Sequence, residues 1–238
     1  MSIAGQKIVI MGGSSGIGLA TAKRLAESGC RVTVTGRDAA KLDAVRRDVP
    51  GIDTAAMDAR DRVALAEFFQ DIGAFDHLVL ALSGGLGGGP FAGLDLAALR
   101  GAFEGKFWAQ VTTAQIALKT IRRDGSITFV TAASARKALP GTAGLGAING
   151  ALNTLVPTLA VELKPLRVNA VSPGVIETPW WDKFPEAQRK AAFAQAAASA
   201  PVGRTGRAED VADAIAFVIG NGFVTGNIVD CDGGAHVA

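Results

Sequence analysis

The sequence predicts an α/β fold: a single doubly wound domain over residues 1–238, built on a parallel seven-stranded sheet. Three observations carry that prediction. Apolar runs near residues 7, 31, 54, 77, 126, 167 and 227 alternate with segments of helical periodicity, as parallel strands joined by crossover helices require. Glycines gather where these runs end. Among them Met11-Gly12-Gly13-Ser14-Ser15-Gly16-Ile17-Gly18 lies between the apolar run Ile8-Val9-Ile10 and a helical pattern over 19–28. A strand that turns through glycines into a helix N-terminus presents backbone N–H groups and the positive end of the helix dipole to an anion. The missing Cβ atoms at Gly12, Gly16 and Gly18 permit the turn, the close approach of a diphosphate and tight packing of helix on strand.

The bulk composition narrows the partners. With 238 residues and 49% hydrophobic content, the chain buries one large core, and no linker interrupts it. Lys plus Arg is 24 against 22 for Asp plus Glu, so a net charge of +2 gives no general attraction to nucleic acid or a membrane surface. Cys30 and Cys231 stand at strand edges in no metal-ligand spacing; they read as buried thiols in a reducing cytoplasm, with no metal site. Gly12 and Gly13 interrupt the N-terminal apolar run, which is therefore no signal peptide, and no apolar stretch approaches membrane-spanning length.

The second strand, from Arg31, ends at Gly36-Arg37, and this end bears on the choice of dinucleotide. A carboxylate there would bind the adenosine ribose and repel a 2′-phosphate; a guanidinium favours NADP(H) over NAD(H). The plain alternative for Arg37 is a solvated loop residue. A helix over 39–49 and a short strand over 54–57 follow, then Asp58 ahead of a helix running from about 61 to 72. Asp58 is placed to cap that helix. A strand over 77–82 runs into Gly84-Gly85-Leu86-Gly87-Gly88-Gly89, expected to be a mobile loop over the cofactor or a slack surface loop. From Asp95 a helical pattern extends to about Ile121, with Leu99, Phe103, Phe107, Val111, Ala114 and Leu118 on one face. The strand 125–130 ends at Thr131, and a later helix, reaching Glu162, contains Pro157, which is expected to kink it.

The glycine spacing GxxxGxG, the run from Arg167 through Asn169, Pro173-Gly174 and Ile176 to Thr178-Pro179, the stretch 201–212 and the closing segment 224–234 together resemble the short-chain dehydrogenase/reductase superfamily. The resemblance covers the whole chain. It implies a Rossmann-type fold and a nicotinamide cofactor held by Gly12, Ser14, Ser15, Gly16, Ile17, Gly18, Arg37, Asp58, Asn149, Pro173, Gly174, Ile176 and Thr178. Within that set it gives Asp58 the adenine amino group, as the alternative to capping. Ile176 and Thr178 receive the nicotinamide carboxamide. It further implies a homo-oligomer, a dimer or tetramer, paired through the long helix after Asp95 and the helix of Leu152, Leu155 and Leu159. Trp180, Trp181 and Phe184 open the superfamily's variable substrate lid, about 180–200. They suggest an apolar pocket wall, while Phe193 reads equally as core packing.

Departures from the pattern fall at its centre. The Asn-Asn-Ala-Gly that usually braces the fourth strand is absent. Aligned on Pro140-Gly141, the four positions of the superfamily's Asn-Ser-Tyr-Lys tetrad hold Lys106, Ala132, Leu145 and Asn149, and the chain has no tyrosine anywhere. The catalytic residues are therefore not assigned by the resemblance. Asn149 retains the means to bond the nicotinamide ribose. Lys106, Thr131, Ser134, Arg136, Lys137 and Thr142 are the candidate substitute donors, Lys106 foremost because a desolvated ammonium has a lowered pKa; its plainer reading is a solvated lysine on an interface helix. The leading expectation is an NADP(H)-binding oxidoreductase acting on a small carbonyl or alcohol by a non-tetrad mechanism. The alternatives are a catalytically silent NADP(H)-binding protein and a structural partner of an active subunit.

Overall fold

A computed structural model describes residues 3–83 and 87–238. Gly84, Gly85 and Leu86, half of the glycine loop expected over the cofactor, lie outside the described residues. Nine strands are present: β1 (Lys7–Met11), β2 (Arg31–Gly36), β3 (Asp53–Ala56), β4 (Phe75–Leu80), β5 (Ile121–Val130), β6 (Arg167–Pro173), β7 (Ile176–Glu177), β8 (Gly206–Arg207) and β9 (Ile228–Cys231). Seven of them form one sheet in the order β3-β2-β1-β4-β5-β6-β9, with every pairing parallel; β7 and β8 pair separately. All seven sheet strands lie where the apolar runs predict them.

Alternation along β1 shows how the sheet is covered on both faces. Val9 and Met11 turn to one side, where they meet α3 (Arg62–Ile72), α5 (Ala109–Ala117) and α6 (Ala143–Glu162) through Leu65, Phe69, Ala114, Leu152 and Val156. Ile8 and Ile10 turn to the other, against α1 (Gly16–Glu27), α2 (Ala39–Asp48) and α8 (Ala208–Gly220) through Leu25, Leu42, Val45, Ile215 and Val218. α4 (Leu96–Phe103) continues into α5 through a π-helical turn at Glu104–Trp108, and α7 (Glu186–Ser199) lies outside the two cores.

Three expectations need correction. The helix after Asp95 ends at Ala117 instead of about Ile121, because Ile121 pairs with Phe75 and enters the sheet; its apolar side chain fits both patterns. Asp61, not Asp58, caps α3, its carboxylate accepting from the N–H groups of Val63 and Ala64 at 2.9 and 3.1 Å. α6 is long and apolar enough to cross a membrane by length and composition alone, contrary to the reading that no stretch approaches that length; here Leu152 and Val156 pack it on the sheet. It runs unbroken through Pro157.

One buried polar group ties the central strands together. Register sets His77 on β4 beside Ser126 on β5, with Nδ1 2.8 Å from the Ser126 hydroxyl and Nε2 2.8 Å from Gln6 Oε1. An amide oxygen only accepts, so Nε2–H donates to Gln6 and Nδ1 accepts from Ser126. Desolvation, helped by the Arg167 charge, lowers the His77 pKa to about 4. A depressed histidine pKa means that the unfolded chain takes up the proton first, so this stability is complete above pH 6.5 and is lost as pH falls toward 4. Denaturant titrations at pH 7.5 and 5.0 should show a loss of about 2 kcal/mol from this group. The His77→Gln variant should be less stable at pH 7.5 yet lose distinctly less on acidification; an equal acid loss in both proteins would contradict this assignment.

Candidate active site

Strand order reverses between β1 and β4, and the crevice beyond the C-terminal ends of these strands is the place where open α/β sheets bind ligands. The glycine turn builds its floor. Gly12 adopts φ +84°, and a Cβ there would stand 2.8 Å from the Ala81 carbonyl oxygen at the end of β4. At Gly18 a Cβ would stand 2.2 Å from the Gly12 carbonyl oxygen, so α1 is seated against the turn by direct backbone contact. The N–H groups of Gly12 and Gly13 both donate to the Thr35 carbonyl, at 3.1 and 2.9 Å. They therefore hold the turn to β2, and a phosphate is left the N–H groups beyond them. Ser15 at the α1 N-cap makes no side-chain capping bond, which leaves the first-turn N–H groups of Gly16, Ile17 and Gly18 uncapped by it.

Two other predicted segments converge on this turn. A Cβ on Gly16 would lie 3.4 Å from the Thr178 Cβ, so the loop after β6 closes over the helix N-terminus. Pro173 and Ile176 are buried, Gly174 packs against the Asp232 backbone, and the Ile176 carbonyl accepts from the Trp181 indole at 2.9 Å. On the opposite flank, a Cβ on Gly36 would meet the Ser14 hydroxyl at 2.8 Å, and Arg37 projects into solvent. The Gly36 carbonyl accepts from Met57 N–H at 2.8 Å, which brings Asp58 alongside. Asp58 pairs with Arg60 at 2.5 Å, and chiefly that hydrogen bond holds its carboxyl below the usual range, with a smaller contribution from the Arg37 charge. Arg60 was not a predicted site residue; its spacing from Asp58, in a loop, carries no periodic signal.

The bracing of β4 is also supplied from an unexpected quarter. Gln110 on α5 is fully buried, and its amide nitrogen donates to the Leu82 carbonyl at 3.0 Å and the Val130 carbonyl at 3.3 Å. One side-chain amide thus bridges the ends of β4 and β5.

The four tetrad positions come together at the same edge. Ala132 precedes the short 3-10 turn Ala133–Ala135 and offers no hydroxyl. Leu145 is half-buried: Cβ atoms built on Gly87 and Gly88 would each stand 3.6 Å from its methyl groups, and Gly89 N–H donates to the Gly141 carbonyl at 2.8 Å. The described part of the glycine loop is therefore fastened over the tyrosine position. Asn149 is buried, and its Nδ2 donates to the Leu145 carbonyl at 2.9 Å and the Ser134 hydroxyl at 3.2 Å. Its buried Oδ1 has no partner among the described residues. Lys106, in the π-helical turn, donates from Nζ to the Thr131 carbonyl at 3.1 Å, and burial pushes its pKa down to about 8. Three other candidate donors are engaged: Arg136 binds Asp230, Thr142 bonds the Leu139 carbonyl at 2.8 Å, and Thr131 Oγ1 reaches the Val171 carbonyl at 3.4 Å; Ser134 accepts from Asn149 through its hydroxyl oxygen.

The expected lid is an aromatic cluster. Trp180 and Trp181 lie edge to face at 5.0 Å, Phe184 meets both, and Phe193 of α7 abuts Trp181 at 5.2 Å. The Lys183 ammonium sits 3.4 Å from the centre of the Trp180 ring, a cation–π contact. Core packing for Phe193 is not what the structure has, since α7 buries no residue and the cluster is only partly covered.

Known proteins match this chain along its length. A family model described as Enoyl-(Acyl carrier protein) reductase covers residues 12–236. A short-chain dehydrogenase/reductase of Stachybotrys chlorohalonatus is 34% identical over 99% of both chains, and the L-xylulose reductase of Bos taurus is 30% identical over 98% of both. Among solved structures, a small-chain dehydrogenase in complex with NADPH is 31% identical, with a TM-score of 0.86 over 98% of this chain and 100% of the other. A glucose/ribitol-type short-chain dehydrogenase of Brucella melitensis reaches a TM-score of 0.91 at 27% identity, covering 100% and 99%.

The Gln110 bridge yields a stability test. Replacing it by Leu leaves two carbonyls without their donor and should lower the unfolding free energy by about 1–3 kcal/mol. A Gln110→Leu midpoint in urea equal to that of the parent would show that the bridge does not brace the strands.

Proposed function

The chain belongs to the short-chain dehydrogenase/reductase superfamily, and on that premise we propose that it is an NADP(H)-dependent oxidoreductase acting on a small carbonyl or alcohol without the superfamily's tyrosine. The observation that carries this reading is an asymmetry. The glycine turn meets the loop after β6 at Thr178 and the end of β2 at Gly36, whereas the positions aligned with the phenol, hydroxyl and ammonium of the tetrad hold Leu145, Ala132 and Asn149.

The residues present fit the cofactor. Gly12 and Gly18 keep the crevice floor thin, and the uncapped N–H groups of Gly16, Ile17 and Gly18 suit a diphosphate. Arg37, exposed at the end of β2, offers a guanidinium to a 2′-phosphate, while Arg60 is committed to the Asp58 carboxylate. Asn149 Oδ1 is a buried acceptor in want of a donor, and a ribose hydroxyl would satisfy it. Thr178 and Ile176 flank the place of the carboxamide. When bound, the cofactor supplies or accepts a hydride at its nicotinamide ring. The relative in complex with NADPH, and curated relatives named as reductases of L-xylulose and D-erythrulose, favour the same cofactor and a small carbonyl substrate. The homo-oligomer belongs to this reading as well: Trp108 and Val161 are exposed on the two helices expected to pair.

A second reading, a catalytically silent NADP(H)-binding protein, draws on one observation: Leu145 puts methyl groups, packed against Gly87 and Gly88, at the place from which a phenol would act.

Two measurements test the proposal. In calorimetric titrations the parent protein should bind NADP(H) more tightly than NAD(H), and Arg37→Ala should weaken NADP(H) about tenfold or more with little change for NAD(H); equal or tighter NAD(H) binding by the parent refutes the preference. With NADPH and L-xylulose as a probe, turnover should be detectable but about two to four orders of magnitude below that of a tyrosine-bearing relative. Complete absence of hydride transfer across a panel of small ketones would leave the silent reading in its place.

A further inference from the structure

Two of the replaced positions have exchanged residue types: the superfamily's helix asparagine is Lys106 here, and its lysine is Asn149. The ammonium has therefore not vanished from the site. It has moved from α6 to the α4–α5 helix.

The fold aims that ammonium at the reacting edge. Lys106 sits in the π-helical turn Glu104–Trp108, and an insertion of that kind re-aims a side chain relative to a regular helix. Gln110, about one turn further on, reaches the carbonyls of Leu82 and Val130, so this face of the helix looks onto the ends of β4 and β5. Lys106 Nζ reaches the Thr131 carbonyl, the last backbone group before Ala132. That is one residue from the place of the superfamily's serine. Among the described residues this is its one hydrogen bond, which leaves two N–H groups for a ligand. Leu145 and Ala132 offer no competing donor, and Asn149 Nδ2 is committed to Leu145 and Ser134.

Resting on the NADP(H) reading above, we infer that Lys106 is the proton donor of carbonyl reduction in this protein, standing in for the absent tyrosine. A hydride from the reduced nicotinamide adds to the carbonyl carbon while Lys106 Nζ gives a proton to the carbonyl oxygen. The C=O π bond is replaced by one C–H and one O–H bond, the nicotinamide is left oxidised, and Lys106 is left as a neutral amine that recovers a proton from solvent. In the alcohol-oxidising direction the neutral amine accepts the hydroxyl proton. Burial, which sets the Lys106 pKa at about 8, suits both directions near neutral pH. Charged groups on the elements packed against it, Arg100 and Glu104 on its own helix, Arg122, Arg123 and Asp124 on β5, and Glu162 on α6, add nothing to that shift.

Cofactor binding reads this placement without any turnover. The oxidised nicotinamide carries a positive charge and the reduced one does not, so a protonated Lys106 beside the ring weakens NADP⁺ relative to NADPH. Dissociation constants for both are measured on the full chain at pH 7.0 and 9.5 by calorimetry. The ratio Kd(NADP⁺)/Kd(NADPH) should fall about tenfold as Lys106 loses its proton; taking the ratio cancels titration of the 2′-phosphate, which both forms share. Lys106→Met and Lys106→Arg should both bind NADPH and give a ratio that does not change with pH, low for Met and high for Arg. A pH-independent ratio in the parent, or the same fall in Lys106→Met, overturns the inference while leaving the NADP(H) reading intact. Failure of the parent to bind either form overturns that reading and the inference with it.

Discussion

Everything at the site depends on how closely three backbones approach at the end of β1. Gly12 lies against the Ala81 carbonyl and Gly18 against the Gly12 carbonyl, at distances where a Cβ would stand 2.8 and 2.2 Å from oxygen. Contact that close cannot accommodate any other residue without moving a strand or a helix. It is what seats the N-terminus of α1 directly above the sheet edge, with Thr35 holding two of the turn's N–H groups and Thr178 closing over Gly16. The rest of the crevice is hung on that frame: β2 delivers Arg37, the β3 end delivers Asp58 and Arg60, and β6 delivers Ile176 and Thr178.

Around this frame, side chains from the neighbouring helices reach the strand ends. Gln110 reaches the ends of β4 and β5 from α5. Lys106 reaches the Thr131 carbonyl from the helix that faces α6. The place aligned with the tyrosine holds no donor of its own: Leu145 fills it with methyl groups that lie against Gly87 and Gly88, so a proton has to come from the facing helix. A Cβ on Gly87 would stand 3.2 Å from the Ala102 Cβ, so this part of the loop packs closely on α4 as well as on Leu145.

The sheet was legible in the sequence because parallel strands buried on both faces read as apolar runs, and β1, β2 and β6 end at or beside Gly12, Gly36 and Gly174. The glycine turn was legible for a related reason: its requirements fall on backbone conformation, which fixes residue type at fixed spacing. Side-chain roles set by distant contacts were not. Asp58 and Asp61 both precede α3, and only coordinates show that Asp61 caps while Asp58 holds Arg60. Ile121 satisfies a helical stripe and a strand equally well. Gln110 is an unremarkable residue in a helical pattern until the strand ends are placed beneath it, and the π-helical turn that aims Lys106 has no signature in the order of residues.

The central claim is that an intact dinucleotide crevice surrounds a proton site rebuilt without tyrosine, and a structure of the protein with NADP⁺ bound addresses it most directly. The account predicts the diphosphate on the N–H groups of Gly16, Ile17 and Gly18, the 2′-phosphate on Arg37, a ribose hydroxyl on Asn149 Oδ1, and the nicotinamide ring beside the Lys106 ammonium. A ring lying away from Lys106, or a cofactor bound outside the crevice between β1 and β4, would contradict it.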